Sequence, residues 1–164
     1  RHQQTFARPD YARWTDHALK DETILGDEAM ELGQLLRSEA ILGAGPELPP
    51  AAHPNAWQGQ PGTRAPHAWI EQGGRTISSL DLFGQGFVML TANHRWIDAA
   101  ADIDLSVVHV GNDGILPAFA PPFGVPNHGA VLVRPDGLVA CRSAHLTTDP
   151  RQSLKMAMQQ ASLP

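Results

Sequence analysis

The chain carries one thiol, Cys141, and eight imidazoles, so its reactive side chains are few and soon enumerated. Turnover at a thiol needs a low-pKa thiolate and a resolving partner. A lone cysteine offers no internal disulfide, no CxxC couple and no thiolate-rich zinc site. Cys141 therefore reads as a small buried hydrophobe. The histidines (His2, His17, His53, His67, His94, His109, His128 and His145) form no i, i+4 helical pair and no HxH strand pair. Scattered surface or hydrogen-bonded imidazoles are the expectation, with no metal site among them. No Gly-x-Ser-x-Gly elbow or recognisable Ser/His/Asp arrangement occurs. The pairs Asp21-Glu22 and Asp27-Glu28 read as solvated faces rather than acid/base dyads. Gly84-Gln85-Gly86 lacks the third glycine of a phosphate cradle and precedes a strand instead of opening a helix. No catalytic or cofactor-binding residue is expected in this chain.

The string Arg64-Ala65-Pro66-His67-Ala68-Trp69 is more distinctive. A guanidinium can fork onto a carboxylate or onto backbone carbonyls. Arg64, Pro66, His67 and Trp69 are thus candidates for docking against another domain. An equal alternative is that Arg64 simply fixes a loop of its own domain. Arg134, Pro135, Asp136 and Gly137 have a sufficient local explanation: proline at the second position and glycine at the fourth suit a type I turn with a bulge.

These residues need elements to position them. Pro9-Asp10 followed by Tyr11, Trp14 and Ala18 predicts a helix that needs a surface to lie on. Met30–Leu42 suits a strand or a short helix, and periodicity does not choose. Residues 43–62 are rich in proline and glycine and predict an irregular linker, with Trp57 pinning it to a neighbour. Regular patterning starts at Thr63. Ala68–Glu71 and Thr76–Leu80 read as a strand pair around Gly73-Gly74. Gly86–Thr91 reads as a buried strand, and Asn93–Ile103 as a helix with Trp96, Ile97, Ala100 and Ala101 on one face. Asp104–Val110 is a further strand, and Ala130–Cys141 a hairpin. Asp149-Pro150 opens a last helix carrying Leu154, Ala157, Met158 and Ala161.

Strand, helix, strand, hairpin, helix is the core order of the thioredoxin fold, with a right-handed parallel crossover in the first unit. The fold class is α/β: a thioredoxin-like domain over residues 63–164, with a central mixed sheet and flanking helices. Residues 1–62 form a partly irregular N-terminal segment before it. Where thioredoxin chemistry would place its thiols, after the first buried strand, this chain has Ala92-Asn93-His94.

Four strings resemble the C-terminal region of FAD-dependent aromatic-ring hydroxylases of the phenol, 2,4-dichlorophenol and polyketide hydroxylase type. They are Met30–Ala40, Pro61–Trp69, Ser78–Leu90 and Gly129–Arg142, in the order and spacing of that family. Two departures are Leu35-Leu36, where relatives are aromatic-rich, and Cys141, where they often carry tryptophan. The resemblance implies that residues 1–62 are the tail of a catalytic region plus linker. It also implies that the flavin and substrate domains lie upstream. The parent would use FAD and NAD(P)H to insert one atom of O2 into an aromatic ring. This chain would bind no cofactor itself and would pack on the upstream domains or on a second subunit, as in a homodimer. The competing reading is a free-standing, redox-inactive thioredoxin-like binding module.

The bulk composition agrees with a supporting role. A net charge of -5 gives no basic field for nucleic acid or anionic lipid. No apolar run is long enough for a membrane span. One cysteine and no signal peptide make a reducing cytoplasm the default. The opening Arg1-His2-Gln3 gives the expectation of a piece cut from a longer protein.

Overall fold

A computed structural model describes residues 25–72, 74–110, 123–125 and 127–163. The helix expected around Tyr11, Trp14 and Ala18 lies outside the described residues. Among the described residues, six strands and four helices follow in order: α1 (Asp27–Glu31), α2 (Pro54–Trp57), β1 (Trp69–Gln72), β2 (Arg75–Ser78), β3 (Val88–Thr91), α3 (His94–Ala100), β4 (Ser106–His109), β5 (Ala130–Val133), β6 (Val139–Ser143) and α4 (Pro150–Ala161). A 3-10 turn, Ser79–Leu82, follows β2. β1 and β2 form an antiparallel pair of their own.

The other four strands make one mixed sheet in the order β4-β3-β5-β6. β3 and β4 run parallel, joined through α3; β5 is antiparallel to β3, and β6 to β5. That order and those directions are the thioredoxin-like sheet the sequence predicts. Val88–Thr91 and Ala130–Val133 are buried along their whole length, as central strands covered on both faces must be.

The period-two alternation of strands sorts the core into two layers. One face gathers Val88, Leu90, Val108, Val131, Val133 and Val139 under Ile70, Ala65 and Phe123. The other gathers Met89, Ala130, Leu132 and Ala140 under Trp96 and Ala100 of α3 and Leu154 and Ala161 of α4. Helices thus cover one face, while the β1–β2 pair and the approach to it cover the other. Both helices start on side-chain caps: Asn93 accepts from Arg95 N–H, and Asp149 accepts from Gln152 N–H with Pro150 next in line.

In α3 the buried residues are Trp96, Ala99 and Ala100; Ile97 is half-buried and Ala101 is exposed. The helix ends at Ala100, so the expected face rotates by part of a turn and Ala101 falls beyond it.

Of the ambiguous stretch Met30–Leu42, only Met30 and Glu31 are helical, closing α1; the rest is irregular chain with one bridge between Gln34 and Ala51. The proline- and glycine-rich residues after it hold only the four-residue α2, yet they are firmly seated. Leu42 N–H donates to Ala140 O and Gly62 N–H to Val139 O, while Val139 N–H donates to Thr63 O. This segment covers the outer edge of β6, an edge that would otherwise present unpaired backbone groups to other chains. Trp57 is buried, and its indole N–H donates to Gly33 O at 2.7 Å. It ties the two ends of the segment together.

Candidate functional site

The residues of Arg64–Trp69 are held from two sides. Ala65 N–H donates to Gly137 O at 2.8 Å, and Arg64 bridges to Leu138, so the turn between β5 and β6 fixes one end. Ser79, wholly buried, fixes the other: its hydroxyl donates to Pro66 O at 2.9 Å and accepts from Ala68 N–H at 2.8 Å. Ser79 in turn sits in the 3-10 turn behind Ser78, whose hydroxyl accepts from Leu80 N–H, while the Asp81 carboxylate accepts from Ser78 N–H. That reciprocal capping box holds the turn.

The β5–β6 turn is fully bonded. Gly137 N–H donates to Arg134 O, and Gly137 takes φ +81, the left-handed region that suits glycine. Asp136 accepts from Leu138 N–H on one oxygen and from Arg134 Nε on the other. Arg134 Nη1 reaches Ala161 O at 3.1 Å, at the C-terminus of α4, where a cation meets the negative end of the helix.

Between these supports opens a cleft of about 810 Å³. Arg64, Pro66 and His67 line it together with Pro135, Asp136 and Gly137, so two separate sequence strings meet there. Its apolar walls are Leu32, Trp57, Leu80 and Phe83. Trp69 is not part of the lining; it lies beyond it, 66% exposed, edge-on to the His67 ring at 4.9 Å between centroids. The Arg64 side chain is exposed and has no ion pair among the described residues. Backbone bonds and the Ser79 hydroxyl hold the loop that carries it. Leu32, Leu80 and Phe83 were not legible as site residues, because they converge from elements far apart in sequence. Trp57 carried a signal, an indole in a tract otherwise made of turn formers.

Thiol chemistry has no seat here. Cys141 faces Leu132 in the middle of the β5–β6 pair. Burial pushes its pKa up to about 11, only partly offset by a hydrogen bond with the Leu132 backbone. A thiolate held that high is the opposite of an activated nucleophile. The position after β3 is taken by Asn93, capping α3. The fold does bring His94 and His109 together, with ring centroids 4.8 Å apart, although fifteen positions of sequence hide the pairing. His128 Nδ1 lies 3.4 Å from the Asn93 amide nitrogen nearby. No group of three histidine, cysteine or acidic residues among the described residues could hold a metal. Among them, too, no helix is long and apolar enough to cross a membrane.

The family model for the aromatic-ring hydroxylase C-terminal domain matches residues 58–162. The chain belongs to this family. Tetracenomycin A2 monooxygenase-dioxygenase of Streptomyces glaucescens is 39% identical over 155 residues, covering 87% of this chain and 26% of that protein. 2,4-Dichlorophenol 6-monooxygenase of Delftia acidovorans is 30% identical, covering 79% of this chain and 25% of the relative. Among solved structures, a ternary complex of aklavinone-11 hydroxylase with FAD and aklavinone superposes with a TM-score of 0.78 at 29% identity. It covers 85% of this chain and 28% of that one. This aromatic-ring hydroxylase C-terminal domain therefore spans about a quarter of the length of the relatives it matches.

Proposed function

We propose that the chain is the non-catalytic C-terminal part of a larger FAD- and NAD(P)H-dependent monooxygenase that hydroxylates an aromatic substrate, phenolic or polyketide. The match to the aromatic-ring hydroxylase C-terminal domain over residues 58–162 carries this reading. It is supported by relatives whose names describe monooxygenases acting on a tetracenomycin and on a chlorinated phenol. In this account the flavin supplies the oxygen-transfer chemistry from the remainder of the polypeptide. Residues 63–164 form the thioredoxin-like domain, and residues 1–62 are the tail of the catalytic region together with its linker. Arg64, Pro66, His67 and Trp69 dock the domain onto that region, and a second subunit is a further contact in a homodimer. The setting is the cytoplasm.

The test is turnover. The full-length polypeptide should consume NAD(P)H and oxygen in the presence of a phenol or polyketide, whereas the 164-residue chain should consume neither. Hydroxylation by this chain alone would overturn the assignment of its role. Failure of the full-length protein with every phenolic and polyketide ring tried would overturn the assigned reaction.

A further inference from the structure

The cleft beside Arg64 has a mismatch that a purely structural domain does not need. Leu32 and Leu80 on its walls are 55% and 48% exposed, and Trp69 at its side is 66% exposed. Large apolar groups left to solvent in one place mark a surface that something else covers. The charge at the same place is selective. Asp136 is engaged by Arg134 and by Leu138 N–H, while the Arg64 guanidinium on the lining has no ion pair among the described residues. A positive group on an apolar wall, in a chain of net charge -5, asks for a carboxylate among apolar side chains.

We propose that this cleft seats a segment of the remaining three-quarters of the same polypeptide, with an aspartate or glutamate of that segment on Arg64 and apolar side chains between Trp57, Leu80 and Phe83. The inference rests on the reading above, that the chain is one part of a larger flavoprotein. About 810 Å³ holds a short run of side chains and is too small to engulf a folded element. An occupant tethered in the same molecule needs little intrinsic affinity, since the tether supplies a high effective concentration. A second copy of this chain would instead bring another net charge of -5 to the contact. The matched chain spans only 26% of its Streptomyces glaucescens relative, so ample polypeptide is at hand to supply the segment.

The experiment uses the full-length protein with a benzophenone amino acid placed at Leu80 or, in a second preparation, at Asn55, both on the lining. After illumination, cross-links are mapped by mass spectrometry and the flavin absorbance of the same sample is recorded. Both positions should cross-link within one molecule to one segment outside this chain, with an acidic residue among apolar neighbours. A charge-assisted hydrogen bond sets the expected loss for Arg64→Glu at about tenfold in cross-link yield. Reversing the partner acid to arginine in the Arg64→Glu protein should restore the yield, a rescue that simple misfolding would not give. Cross-links between copies, cross-links confined to residues 1–24, or none at all would overturn the proposal. Yellow protein without the cross-link overturns the cleft occupant and leaves the flavoprotein reading standing. Colourless protein overturns the flavoprotein reading instead.

Discussion

At the scale of single residues, the cleft separates side chains that hold the fold from side chains that serve something outside it. Arg134 and Asp136 belong to the first kind, each with two or more bonds inside the domain. On the docking proposal, Arg64 belongs to the second. Arg64→Ala should leave the unfolding midpoint of the chain within about 0.5 kcal/mol of wild type in a denaturant titration, since the change is at an exposed, unpaired position. A large loss would mean that the guanidinium fixes its own loop after all. Gly137 makes the opposite prediction. An added Cβ would meet nothing within 4 Å, so Gly137→Ala isolates the conformational term at φ +81. It should cost about 1–2 kcal/mol by the same titration. Cys141 gives a pH signature. Its thiol ionises at about 11 in the folded chain against an ordinary 9.0, so the unfolded state releases the proton first. The stability this group contributes is complete below pH 9 and is lost as pH rises towards 11. Cys141→Ala should therefore flatten the fall in midpoint across that window; an unchanged slope would contradict the raised thiol pKa of this half-buried residue.

At the scale of elements, what the sequence made legible was what repeats locally. The β5–β6 hairpin follows from Pro135 and Gly137, and α4 from Asp149-Pro150 ahead of Leu154 and Ala161. The segment preceding Thr63 was legible only in part, because its bonds run to partners distant in sequence. Leu42 finds Ala140, and Gln160 Nε2 finds Glu39 O. The cleft was half legible for the same reason. Its polar string and its turn stand out by type, but its apolar walls are assembled by packing. Trp57 is the joint of that assembly. Trp57→Ala should destabilise the chain by about 3–5 kcal/mol, the range for emptying a buried aromatic site. Hydrogen exchange should then rise in residues 34–62 more than in β3 and β5. Trp57→Phe, which keeps most of the volume and loses the bond to Gly33 O, should fall between the two. Equal exchange throughout would mean that the segment is not held through this indole.

At the scale of the whole molecule, the thioredoxin-like sheet is retained while the position of its chemistry is given to a helix cap, Asn93. Beside it lies the cleft lined by Arg64 and the β5–β6 turn, in a chain that spans about a quarter of the length of the relatives it matches. The central claim is that the flavin is held elsewhere in the parent protein and that this domain supports it. The most direct measurement is a visible absorption spectrum of the purified 164-residue chain beside that of the full-length protein, each checked on a denaturing gel. The account predicts a colourless chain and a yellow full-length protein. A single-band, yellow preparation of the chain alone would contradict it.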